Sequence, residues 1–164
     1  MKKILLVTLP FALISLFLIV VLIIQLFSQI FENRVIASLP KYESSDCYYS
    51  EGFQDFTNYC KYYFPKNDDI IETLKSNEYL KSVTDRDVEE IKGYFENFKG
   101  WVEFQEYKDK YDFKYESIDT TDYFYIESKY ASETNGNLSD KYDNYDVYFF
   151  DIQTKTLYFI HSNI

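Results

Sequence analysis

The stretch TDRDVEEIKGYFENFKGWV, Thr84 to Val102, sets the reading of this chain. Val88, Ile91, Phe95, Phe98 and Val102 recur at spacings of three and four, one apolar stripe along a helix. Glu89, Glu90, Lys92 and Glu96 fall on the other side. Thr84 is a suitable N-cap, and Asp85 and Asp87 suit the positive end of the helix dipole. Gly100 stands near the expected end. A stripe this regular must be covered by a sheet or another helix.

Beyond Lys110 the period changes to two. Tyr111, Phe113 and Tyr115 alternate with Asp112, Lys114 and Glu116, which predicts a half-buried strand. Asp119–Asp122 reads as a turn, and Tyr123–Tyr130 as a second strand. Ala131–Asn144, with Asn135-Gly136, reads as a polar loop. Tyr145–Asp151 and Thr156–His161 complete about four antiparallel strands, joined at the end by a short hairpin. A helix packed on such a sheet is an α+β domain. The element order resembles halves of cystatin-like folds, a likeness that implies architecture and no activity.

Upstream, no charged side chain occurs from Ile4 to Phe31. A bilayer core takes about 20 apolar residues. The expectation is therefore an N-terminal transmembrane α-helix ahead of the α+β domain. It divides the chain into residues 1–32 (cytoplasmic tip and membrane helix), 33–46 (linker, broken by Leu39-Pro40) and 47–164 (extracytoplasmic domain). Lys2 and Lys3 before the run place the N-terminus in the cytoplasm. That makes a single-pass protein of the cell membrane with its C-terminal domain outside. A cleaved signal peptide fits less well, since its apolar region spans only about 7–15 residues.

The chain has 17 Lys and Arg against 27 Asp and Glu. With Lys2, Lys3 and Glu32 set aside, residues 33–164 hold 15 cationic side chains and 26 acids, a charge of −11. This excess argues against nucleic acid, which calls for a basic surface. The 18 Tyr and 15 Phe argue against disorder.

Cys47 and Cys60 are the only cysteines, and in an exported chain an even count predicts a disulfide. His161, the only histidine, reads as structural, and no metal site or cofactor is expected. Asn135–Asp146 departs from a calcium loop at its sixth and twelfth positions, Asp140 and Asp146. No catalytic residues are assigned.

The sheet faces carry the remaining signal. One expected face holds Phe113, Phe124, Ile126, Val147, Phe149, Leu157 and Phe159. The other holds Tyr123, Tyr125, Tyr148, Phe150, Tyr158 and Ile160, without the polar alternation that water contact requires. The aromatic segment Cys47–Phe64, read as a loop or short helix, is expected to cover that face. Failing that, Tyr123, Tyr125, Tyr148 and Tyr158 form a binding platform for a protein or glycan partner. The function expected is non-enzymatic binding by a membrane-anchored extracytoplasmic domain. Its alternatives are an envelope immunity or inhibitor protein against a basic partner, and an enzyme with an unrecognised site.

Overall fold

The computed structural model describes residues 33–50, 56–66, 69–128 and 140–164. Residues 38–164 form one compact unit, and the chain up to Ala37 belongs to another. In the latter, α1 (Arg34–Ala37) is a single turn begun by Asn33, whose Oδ1 accepts the Val35 amide at 3.2 Å.

The larger unit is built on six strands: β1 (Ser44–Tyr49), β2 (Phe56–Tyr63), β3 (Lys81–Ser82), β4 (Tyr123–Ser128), β5 (Asn144–Asp151) and β6 (Thr156–Asn163). Their spatial order is β1-β2-β6-β5-β4-β3, every pair antiparallel. Between them lie α2 (Asp69–Lys75) and α3 (Asp85–Val102).

The helix predicted from the stripe is α3. Asp87 reaches back to accept both the Thr84 amide (2.9 Å) and the Thr84 hydroxyl (2.6 Å). Gly100 does not end it; the helix runs two residues further, to Val102. Its stripe is buried: Ile91, Phe95 and Phe98 are fully enclosed, with Tyr94 and Val102 nearly so. Across from them stand Tyr59, Phe124, Tyr145, Val147, Phe149 and Ile160 of the sheet. Each large apolar side chain buried this way contributes about 1.5–3 kcal/mol.

The expected fold class needs correction in several places. The described residues form a sheet of six strands, not about four. The described residues of Cys47–Phe64 are extended strand and not a loop or helix: they supply the second half of β1 and all of β2, and β2 pairs along its whole length with β6. The segment therefore extends the sheet sideways, and of its described residues Phe64 packs over the second face, on Phe150. Tyr48 and Tyr59 stack on each other, and both pack with the helix-side core. Among the described residues no helix is long and apolar enough to cross a membrane. The span expected at Ile4–Phe31 lies outside the described residues, as do parts of the polar loop after Ser128.

Tyr111–Glu116 is not a strand. The segment crosses the helix side irregularly and ends in a single 3-10 turn, Tyr115–Ser117. Its side chains hold it there. Phe113 stacks on Phe95 with ring centres 3.7 Å apart, and the Tyr111 hydroxyl donates to the Phe95 carbonyl at 3.0 Å. Asp112 accepts from the Tyr59 hydroxyl and from Lys61 Nζ, each at 2.8 Å. Burial opposes the charge on both ions of the Lys61–Asp112 pair. Their contact outweighs it, raising the lysine pKa and lowering that of the aspartate.

The phase of β6 also differs from expectation. Asp151 pairs with Thr156 across a four-residue loop, with Lys155 at φ 55°. Phe150 then faces Leu157, and Val147 faces Ile160. Tyr158 and Ile160 thus point to the helix, while Leu157 and Phe159 lie on the second face. That second face is largely enclosed. Cys60, Tyr123, Tyr148, Phe150 and Leu157 are buried on it. Phe64 packs on Phe150 at 5.4 Å, and Tyr42 sits edge-on to Tyr62 at 5.0 Å.

Cys47 and Cys60 stand opposite each other in the β1–β2 ladder, Cα atoms 4.1 Å apart, with their sulfurs at bonding distance. The bond closes a loop of about 14 residues, worth about 3 kcal/mol in the chain-entropy description.

Two outcomes follow. Phe95→Ala should lower unfolding stability by about 3–5 kcal/mol in a urea titration, because it empties the stack between α3 and Phe113. Mass spectrometry of unreduced protein should find no alkylatable thiol; labelling of both cysteines would contradict the pairing.

Candidate functional site

The four tyrosines expected to form a platform do not share a surface. Tyr123 and Tyr148 are buried, the latter stacked on Phe159 at 4.8 Å. Tyr158 lies on the helix side, edge-on to Phe113 at 5.0 Å. Burial, then the nearby Asp112 carboxylate, push its hydroxyl up to about 12. Tyr125 is half-buried and lines an open groove at the edge of the sheet. The expected platform is therefore reduced to Tyr125.

The groove arises from the shortness of β3. Only Lys81 and Ser82 pair with β4, opposite Phe124 and Tyr123. Val83 N–H also donates to the Asp122 carbonyl at 2.9 Å. The backbone groups of Asp122 and Phe124 therefore point toward β3, and along a strand that direction recurs every second residue. Ile126 and Ser128 present their N–H and C=O groups to the same side, past the end of β3. Tyr123, Tyr125 and Glu127 turn theirs to β5, opposite Phe150, Tyr148 and Asp146. Among the described residues, nothing pairs with the outward backbone of Ile126 or Ser128.

Between this edge and α3 lies a space of about 500 Å³, lined by Tyr79, Lys81, Glu90, Tyr94, Phe124, Tyr125, Ile126 and Ser128. Its floor and walls are aromatic. Tyr79 meets Tyr125 edge-on at 5.9 Å, and Tyr94 meets Tyr142 at 5.0 Å. Gly93 allows this last packing: a Cβ there would lie 2.7 Å from the Tyr142 hydroxyl. One lysine lines the space and a second holds two of its lining residues. Lys81 lies over the Phe124 ring at 4.4 Å, and Lys141 over Tyr94 at 5.1 Å while bonding Glu90 at 2.9 Å. Burial disfavours the Lys141 charge, but the Glu90 carboxylate outweighs it and raises the pKa. Glu127, beside Tyr125, is exposed and forms no ion pair with a described residue.

Two other polar groups stand apart from the groove. His161 Nδ1 and Asp146 Oδ1 lie 2.6 Å apart on the second face, with the Phe56 ring 4.8 Å from the imidazole. This is the cross-strand neighbour pair that the register dictates. Asp122 is fully buried at the start of β4 and accepts the amides of Ile152 (2.9 Å) and Asp119 (2.8 Å). Both bonds brace turns. Burial is the largest influence on its carboxyl; the amides oppose it, Asp151 and Asp119 add to it, and the pKa rises to about 6. Among the described residues no three His, Cys, Asp or Glu side chains are grouped to hold a metal ion.

Sequence reasoning missed the groove because it assigned no element to Lys81–Ser82. Two residues show no period. The extent of β4 was visible, but not that its outer edge lacks a partner.

Compared with protein-family models, with curated proteins and with solved structures, the chain matches none of them.

The Asp122 carboxyl has a testable consequence. Its folded pKa lies above the ordinary value of 3.8, so the folded state binds the extra proton. That stabilisation is complete below about pH 4 and is lost as pH rises through about 6. This carboxyl should therefore add about 2 kcal/mol of stability between pH 7 and pH 4.5, read by urea titration as the difference between wild type and Asp122→Asn. An equal pH dependence in wild type and Asp122→Asn would contradict the assignment.

Proposed function

We propose that residues 38–164 act as a non-enzymatic binding domain outside the cytoplasm, and that the β4 edge groove is where the partner docks. The single observation carrying this reading is the groove itself. It is a space of about 500 Å³ with aromatic lining, beside strand backbone that is unpaired among the described residues. A functional pocket is usually concave, mostly apolar and bordered by a few fixed polar groups. Lys81 and Glu90 are such groups. An extracytoplasmic location is supported by the paired cysteines, since disulfides persist in oxidising compartments. The uncharged run Ile4–Phe31 supports placement at the membrane surface.

A second reading, an inhibitor acting on a basic envelope partner, is favoured by the charge of −11 over residues 33–164. It uses the same groove and differs only in what happens to the partner.

The test is crosslinking capture from envelope extract with the full-length chain, wild type against Tyr125→Glu. Tyr125 is half-buried at the groove wall, so the variant alters the groove with little effect on the core. The wild type should capture a partner at least tenfold more efficiently. Equal capture by both would place the binding surface elsewhere.

A further inference from the structure

The chemistry of the edge narrows the partner class, and this step rests on the binding reading above. We infer that β4 takes up an extended segment of another protein as an added strand, and that this segment alternates apolar with basic side chains.

The backbone gives the first half. Ile126 and Ser128 each offer one N–H and one C=O along the same line on which β3 already pairs with Phe124. Donors and acceptors alternating at strand spacing are matched by another strand; a helix has already used its own backbone groups internally. Strand addition at an exposed sheet edge draws its affinity from main-chain bonds and its selectivity from pockets for alternate side chains.

The side chains give the second half. Residues directly opposite across two strands share a face. A partner residue opposite Ile126 points to the helix side, into the space walled by Tyr94, Phe124 and Ile126. An apolar side chain fills it. The residue opposite Glu127 points to the second face, beside Tyr125 and an exposed carboxylate with no described ion partner. A lysine or arginine there gains an opposite charge across the ladder. The charge of −10 on the whole chain attracts the same partner over a longer range. The same facts disfavour a second copy of this chain. Pairing two β4 edges would bring Glu127 near its own counterpart, between two bodies of like charge.

The experiment is fluorescence anisotropy with the full-length chain in non-ionic detergent and three labelled eight-residue peptides. One alternates lysine with valine. The second alternates glutamate with valine. The third is the lysine–valine peptide N-methylated at alternate amides, which keeps the charge but removes the ladder donors. The lysine–valine peptide should bind saturably. The other two should bind at least tenfold more weakly. Glu127→Lys should weaken the lysine–valine peptide about fivefold or more. Ile126→Pro, which removes the outward N–H and leaves the ladder to β5, should also weaken it, whereas Ile126→Val, which keeps that N–H and most of the side chain, should bind nearly as wild type.

Three results overturn the inference: no saturable binding of the lysine–valine peptide, equal binding of its N-methylated form, or dimerisation of the chain that Ile126→Pro abolishes. If the peptides fail while Tyr125→Glu still loses the captured envelope partner, the binding reading stands and strand addition falls. If capture is also unchanged, both fall.

Discussion

The stack of rings from α3 through Phe113 to the sheet is the contact on which the rest depends. Phe95 lies face to face with Phe113 at 3.7 Å, and Phe113 meets Phe149 at 5.6 Å and Tyr158 at 5.0 Å. This joins helix, irregular crossing and two central strands in one cluster. The crossing has no ladder of its own. It is held by that stack, by Asp112 on Tyr59 and Lys61, and by Tyr107, whose hydroxyl donates to the Thr57 carbonyl at 3.1 Å. Because the crossing occupies the helix side, it returns the chain to β4 beside β5. β4 therefore lies near the sheet margin, with, among the described residues, only the two of β3 beyond it.

Much of this was legible in the sequence where a period extends over several turns or residues. The α3 stripe from Val88 to Val102, its Thr84 start and the strands β4, β5 and β6 were readable within a residue or two. What was not legible has a physical reason in each case. Tyr111–Glu116 alternates like a strand, yet its aromatics answer to α3, so alternation reported burial and not pairing. Eight of the 18 residues from Cys47 to Phe64 are aromatic, at irregular spacings. The segment carries no usable period, and its two strands emerge only from their partners. The phase of β6 depends on the four residues between Asp151 and Thr156. A change of one in that count exchanges the faces of every residue beyond it.

The candidate site shows the same limit. Tyr123, Tyr125, Tyr148 and Tyr158 share a face only under one phase of the strands, and form a platform only where that face lacks its expected cover. The register separates Tyr158 from the others, and enclosure of the second face removes Tyr123 and Tyr148. What survives, Tyr125, belongs to a site defined by a missing neighbour. Side-chain patterns report what an element buries. They carry no record of whether its backbone finds a second partner, because N–H and C=O groups are the same at every residue. Open edges are commonly guarded by charge or by brevity. Glu127 supplies one such charge here, and in the proposed complex it selects the partner.

The central claim is that the outer backbone of β4 is open while its inner backbone is paired, and amide hydrogen exchange on the full-length chain measures this residue by residue. Tyr125 and Glu127 donate toward β5 and should exchange slowly. Ile126, lying between them but facing outward, should exchange at least a hundredfold faster, with Ser128 similarly fast. Protection of Ile126 equal to that of Tyr125 would mean that the edge is already occupied, and would contradict the account.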